Sequence, residues 1–210
     1  VDGVINDRRF NVCLPFTLVQ ECPFPNDWSN PKNFSNDPHD PGGATMDGIT
    51  QAEYTRWCNI NHIAPQPVIR IAKDEGESIY YNDYWLPNCP KCLPGLDLCV
   101  FDSNVNQGPT QSTRILQFAL DIPVDGIWGG QTDAAVKTVK SVNATIQAFT
   151  TRREAVYEQT RNFNRFGTDW MRRAEEIGTA AARAGVMRGH ALAMYAKYKL
   201  TAPPCGGPKD

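Results

Sequence analysis

The sequence predicts a mainly α fold with one small β-hairpin near residues 35–50, and three observations carry that reading. Apolar residues recur at helical spacing along most of the 210 residues. Proline and glycine concentrate in one early patch instead of punctuating short strands throughout. Capping signals stand where periodic segments begin.

In the first helix Phe10, Cys13, Leu14, Thr17, Leu18 and Glu21 share one face. Pro15 is expected to start or kink its regular part. Residues 22–49 read as loop and hairpin, crowded with Pro, Gly, Asn, Asp and Ser. Thr50-Gln51-Ala52-Glu53 is a capping box opening a second helix, with Tyr54, Trp57 and Cys58 facing inward. After a turn at Ala64-Pro65-Gln66-Pro67, residues 68–86 return to helical spacing through Ile71, Ile79, Tyr80 and Tyr84. Pro94 is expected to start the next helix, with Leu96, Cys99 and Val100 on its core face. Residues 110–120 form an amphipathic helix, and Pro123-Val124-Asp125-Gly126 turns the chain. Further helices are expected from about Gln131, over about 143–163, and over 168–200. The tail 201–210 is expected to be mobile.

Composition removes several function classes. With 21 basic and 23 acidic side chains the formal charge is −2, so the basic footprint of a nucleic-acid binder is missing. At 41% hydrophobic and 10% aromatic the chain is not of the disordered type. No apolar run approaches the ~20 residues that cross a bilayer. Val1-Asp2-Gly3 does not open a charged segment leading into an apolar one, so no secretory signal is read there. Seven cysteines exceed what a reducing compartment needs, and their odd number leaves at least one thiol unpaired within the chain. Cys89-Pro90-Lys91-Cys92 has metal or redox spacing, but no second pair exists and His39, His62 and His190 are scattered. No metal and no organic cofactor is expected. Cys13, Cys58 and Cys99 read as buried thiols, with the disulfides of an oxidising compartment as the competing reading. Cys205 is the cysteine best placed to bond to another chain.

The chemistry centres on a carboxylate at the end of an apolar helix. Glu21 closes the apolar face of the first helix, where partial desolvation is expected to raise its pKa. A second carboxylate, Asp37 or Asp40, arrives on Asn36-Asp37-Pro38-His39-Asp40-Pro41-Gly42-Gly43-Ala44-Thr45. One protonated and one ionised carboxyl group are what glycoside hydrolysis uses, the split for which lysozyme is the standard example. A solvated helix-terminal Glu and a turn Asp are the plainer alternative.

The same stretch, running into Gly48-Ile49-Thr50, closely resembles the hallmark of glycoside hydrolase family 108, bacterial and phage lysozymes that cleave the glycan of peptidoglycan. The resemblance spans about residues 10–178. It implies a phage-type, lysozyme-like fold, with Glu21 of Leu14-Pro15-Phe16-Thr17-Leu18-Val19-Gln20-Glu21 as catalytic acid. Counting back from Gly48-Ile49, Asp40 takes the place of the supporting carboxylate. It is favoured over Asp37, which can merely set the turn. Thr45 is expected to hold a water or orient a carboxylate. Tyr84-Trp85 and Phe101-Asp102-Ser103-Asn104-Val105-Asn106-Gln107-Gly108 also look like family blocks. Tyr84, Asp102 and Asn106, with Asp37, are therefore expected to touch substrate, although Asp102 and Asn106 read slightly more simply as a helix C-terminal cap. Two departures stand out: Cys22-Pro23 replaces Gly-Gly after the Glu, and about ten extra residues, Phe24 to Asn33, precede the hairpin. Trp28 and Phe34 there either stack on sugar faces or pin the loop.

Leu116-Gln117, Asp125-Gly126-Ile127-Trp128-Gly129-Gly130-Gln131-Thr132 and Ala134-Ala135-Val136 resemble peptidoglycan-binding helical modules, with Trp128 as a stacking platform or a core plug. Phe166-Gly167-Thr168-Asp169-Trp170 with Arg173 resembles the family's closing helix. The expected organisation is a lysozyme-like domain over 1–178, with a catalytic half at 10–108 and a peptidoglycan-binding-like half at 109–178. Residues 179–210 add a basic helix and tail. Arg183, Arg188, Lys197 and Lys199 beside Met187, Leu192, Tyr195 and Tyr198 read more simply as a packed terminal helix than as a membrane contact. The expected activity is an endolysin-type N-acetylmuramidase acting on peptidoglycan glycan strands in the cell wall. Delivery would be by a holin pore, a phage particle or a secretion system. The competing readings are a lytic transglycosylase using the same Glu and a non-enzymatic wall-binding or virion component.

Overall fold

The computed structural model describes residues 5–36 and 43–186. Asp37, Asp40, Cys205 and the basic residues beyond 186 lie outside them. Packing divides the chain into two compact units between residues 82 and 83, ahead of the expected join at 108–109.

The first unit opens with α1 (Arg8–Glu21), whose N-cap Asp7 accepts hydrogen bonds from the backbone N–H of Arg9 and Phe10 at 2.9 and 3.1 Å. The helix already begins at Arg8, so Pro15 lies inside its regular part and does not start it. Phe10, Val12, Cys13, Leu14, Phe16, Thr17 and Leu18 are all buried, so packing on most sides holds the one turn that lacks an N–H. It stops where Cys22 turns extended and Pro23 follows. Three two-residue strands, β1 (Phe34–Ser35), β2 (Thr45–Met46) and β3 (Ile49–Thr50), form an antiparallel sheet in sequence order. Met46 pairs with Ile49, which leaves Asp47-Gly48 as a two-residue loop. Both loop residues have positive φ, 52° and 78°, as a primed hairpin turn requires. The predicted capping box then opens α2 (Gln51–Ile60).

Residues 68–86 are not one helix. A 3-10 turn (Val68–Arg70) is followed by extended backbone, α3 (Lys73–Ile79) and a π-helical turn (Tyr80–Trp85). The side chain of Glu75 sets the restart: it accepts from the Ala72 N–H and from the Tyr54 hydroxyl, each at 2.8 Å. Phe10 meets Tyr81 edge-on at 5.1 Å within the core of this unit.

The second unit is helical: α4 (Leu96–Gln107), α5 (Pro109–Ala119), α6 (Gly130–Lys137), α7 (Val142–Glu158) and α8 (Phe163–Val186). The first of these begins two residues after Pro94, because Gly95 sits at a φ of 94° outside the helix. Its residues Leu96 to Asn104 are buried without interruption, so α4 is the central helix, packed by α5, α7 and α8. Trp85 is fully buried, edge-on to Phe101 at 5.5 Å.

No disulfide joins the six described cysteines, so the competing disulfide reading finds no support among them. Cys13, Cys58 and Cys99 are buried, as expected. Cys89 and Cys92 flank a 3-10 turn, and burial drives the Cys92 thiol well above the usual range, the opposite of a reactive pair. Among the described residues no group of His, Cys, Asp and Glu is placed to hold a metal ion. None of the described helices is long and apolar enough to cross a membrane.

Candidate active site

Glu21 ends α1 half-buried, with its Oε1 closed off from solvent. The hairpin loop lies directly against it. A Cβ added to Gly48 would stand 2.8 Å from Glu21 Cβ and 2.7 Å from the Tyr80 hydroxyl. Only glycine lets the turn approach this closely, and its positive φ suits the same residue. The Tyr80 hydroxyl donates to the Asp47 carbonyl oxygen at 2.8 Å, which fixes the turn from the far side.

Asp47, which the sequence reading did not single out, turns its carboxylate inward and is 1% exposed. Its Oδ1 accepts a 2.6 Å hydrogen bond from Asn33 Nδ2. Burial pushes its pKa up to about 6, against the lowering effect of the Asn33 and Cys22 hydrogen bonds. The Cys22 thiol rises to about 12, chiefly through burial and then through the nearby Asp47 and Glu21 charges. Glu21, Cys22 and Asp47 therefore form one electrostatically coupled group at the end of α1. An Asp-Gly pair in a hairpin reads as turn chemistry, and nothing local signals that the side chain is swallowed.

The inserted loop is built onto this group. Asn33 donates to the carbonyl oxygens of Phe24 and Asp27 at 3.0 and 3.1 Å and accepts from the Phe24 N–H at 2.9 Å, besides its bond to Asp47. Trp28 is buried, edge-on to Tyr80 at 6.3 Å, and lies over Gly76, where an added Cβ would stand 2.1 Å from its ring. Of its two expected roles, Trp28 takes the loop pin. Thr45 is half-buried on β2 and its hydroxyl donates to the Gly43 carbonyl oxygen at 3.2 Å. Glu21 and Thr45 thus belong to the same unit, joined by the hairpin.

The remaining candidates fall in the second unit. Asp102, expected at the substrate, is fully buried. It binds Arg153 at 2.7 Å and Arg173 at 2.8 and 3.0 Å. These two guanidinium groups hold its carboxyl below the usual range against the cost of burial. Asn106 shares that face of α4 and accepts from the Tyr157 hydroxyl. Tyr84 is half-buried, and its carbonyl oxygen accepts from Asn104 Nδ2 at 2.7 Å. Trp128 donates its indole N–H to Asp133 at 2.6 Å and carries Lys91 over its ring at 5.6 Å, which ties it into the loop before α6. Gln117 organises that loop: Nε2 donates to Asp125, Ile127 and Thr132, and Oε1 accepts from the N–H groups of Asp125 and Gly126. The Leu-Gln … Asp-Gly … Thr pattern is thereby accounted for as a folded turn.

A helix-terminal carboxyl group seated against a glycine hairpin, in a mostly helical chain with a small antiparallel sheet, defines a lysozyme-like architecture. Comparison with known proteins finds two similarities. Residues 32–108 match the family model for glycosyl hydrolase 108. The structure of Brucella abortus SagA superposes with a TM-score of 0.70 at 25% identity, covering 84% of this chain and 95% of that one. No curated protein matches the sequence. Over residues 32–108 the chain is similar to glycosyl hydrolase 108, and that similarity supports a peptidoglycan-hydrolysing glycoside hydrolase. Thr45, Tyr84, Asp102 and Asn106 lie inside the matched segment, Glu21 ahead of it and Trp128 beyond it.

Proposed function

We propose that the chain is an N-acetylmuramidase, hydrolysing the β-1,4 bond between N-acetylmuramic acid and N-acetylglucosamine in the cell wall. The observation that carries this reading is the seating of Glu21, at the end of α1, against a hairpin turn that has no room for a side chain. Glu21 is the general acid. Its protonated carboxyl group delivers a proton to the glycosidic oxygen as the bond to the anomeric carbon breaks. Asp40 is the supporting carboxylate, either countering the positive charge that develops on the sugar or activating the attacking water. Thr45 orients that water, since its hydroxyl spends its proton on Gly43 and keeps its lone pairs to accept.

Digesting purified peptidoglycan and reading the fragments by mass spectrometry tests this. Reducing muramic acid ends are expected. Anhydro-muramic ends would instead make the protein a lytic transglycosylase with the same acid. Intact glycan recovered together with bound protein would make it a wall-binding component.

A further inference from the structure

The buried carboxyl group of Asp47 has no part in the mechanism above, yet it lies beside the acid. Gly48 seats the hairpin turn on Glu21 with no room for a Cβ, and Asp47 is the other residue of that two-residue loop. Its side chain is turned inward and only 1% exposed. The Cys22 thiol, next to Glu21 in the chain, feels the charges of both carboxyl groups. All of these residues belong to the first unit.

A buried carboxylate normally comes with a cation or a full set of donors. Asp47 has neither among the described residues. Its Oδ1 accepts from Asn33 Nδ2 at 2.6 Å, while its buried Oδ2 is left without a hydrogen bond of ordinary geometry. The Cys22 thiol is a weak donor, and its one proton also faces the Leu18 carbonyl oxygen at 3.5 Å. The titratable groups around Asp47 are Glu21 and Cys22 at the end of α1, Asp27 in the inserted loop and Tyr80 in the π-helical turn. None is a cation. Hydrogen bonding to Ser29 holds the Asp27 carboxyl below the usual range, so its charge is constant. The Cys22 thiol, pushed up to about 12, stays neutral, and the Tyr80 hydroxyl donates to the Asp47 carbonyl oxygen at 2.8 Å. Glu21 is thus the neighbour whose proton can answer a charge on Asp47.

The order of ionisation follows from the charges each group feels. The like charge acting on Asp47 is that of Asp27 and not of Glu21, as holds when Glu21 still carries its proton while Asp47 titrates. Cys22, which ionises last, feels both.

We infer that Asp47 is a positioning residue for the proposed acid: its buried, uncompensated carboxylate holds the proton on Glu21 through neutral pH. The inference deepens the function proposed above and rests on it for the reaction that uses this proton. A like charge at close range raises the proton affinity of a carboxyl group, and the two groups titrate as a pair. Glu21 then meets the glycosidic oxygen still protonated, as a general acid must.

The test follows the side-chain carboxyl resonances of the full chain labelled with carbon-13 glutamate and aspartate. The resonances lost in Glu21→Gln and in Asp47→Asn assign the two groups. In Asp47→Asn the Glu21 midpoint should fall by about one unit. In Glu21→Gln the Asp47 midpoint should stay where it is, because Asp47 ionises beside a neutral Glu21. The pH profile of peptidoglycan digestion reads the consequence. Asp47→Asn should digest at close to the wild-type rate at pH 5 and about five- to tenfold more slowly at pH 7.5, since one unit is tenfold in the protonated fraction. A Glu21 midpoint unmoved in Asp47→Asn overturns the inference. So does an Asp47 midpoint that falls in Glu21→Gln, which would give the last proton to Asp47. Equal loss of digestion at both pH values would make Asp47 a purely structural residue and also overturns it. A protein that digests while the Glu21 midpoint stays put loses this inference and keeps the muramidase reading. A protein whose Glu21 midpoint moves but which digests nothing keeps the coupling and loses that reading.

Discussion

At the scale of single residues, Asp47 links the stability of the site to pH. Its carboxyl titrates at about 6 in the folded chain against an ordinary 3.8. Asn33, Cys22, Glu21 and the more distant Asp27 are the groups that act on it or on its thiol neighbour. The folded state holds this proton more tightly than the unfolded chain does. The stabilisation is therefore complete below about pH 4 and is lost as pH rises through about 6. Asp47→Asn keeps the acceptor for Asn33 and tolerates the positive φ, while removing the titration. Urea unfolding should show the variant and the wild type nearly equal at pH 4. At pH 7.5 the variant should be the more stable, by up to about 3 kcal/mol. Equal offsets at both pH values would contradict this account of the buried carboxyl. Gly48→Ala belongs to the same scale. The new methyl meets Glu21 Cβ, so wall digestion should collapse and the melting temperature should fall. An alanine variant with unaltered digestion would show that the turn does not seat the acid.

Among the elements, the inserted loop is held by two devices, the Asn33 clip to Asp47 and the Trp28 wedge over Gly76. Trp28→Ala empties a buried aromatic site and should cost about 3–5 kcal/mol in denaturant unfolding. A loss below about 1 kcal/mol would place Trp28 at the surface. What the sequence made legible follows from how local the causes are. The apolar face of α1 and the Thr50–Glu53 capping box are written within a few residues and are found where expected. The break within 68–86 is not local. The restart of α3 depends on Glu75 being held by Tyr54, twenty-one residues away. Pro15 was misleading for the same reason, since burial on most sides keeps α1 continuous through a residue that would disrupt an exposed helix. In the candidate site Glu21 was legible as the end of a periodic face. Asp47 was not, because the inward turn of its side chain depends on Asn33, fourteen residues back in the inserted loop.

For the molecule as a whole, the second unit is organised around the Asp102–Arg153–Arg173 cluster, which joins α4, α7 and α8 through residues up to 71 apart. Asp102 and Asn106 were legible as neighbours on one helix face, but which way that face looks depends on helices not yet placed. Asp102→Asn leaves two buried guanidinium groups facing a neutral amide and should cost about 3–5 kcal/mol. Wild-type-like thermal unfolding of that variant would contradict an interior role for the cluster. Glu21, the proposed acid, lies in the first unit. The most direct test of that role is the digestion rate of purified peptidoglycan by Glu21→Gln, with Glu77→Gln as a control at a half-buried carboxylate paired with Lys73. With both variants folded by circular dichroism, the account predicts a loss of at least about 10²-fold for Glu21→Gln and near wild-type digestion for the control. Near wild-type digestion by Glu21→Gln would remove Glu21 from the chemistry and contradict the account.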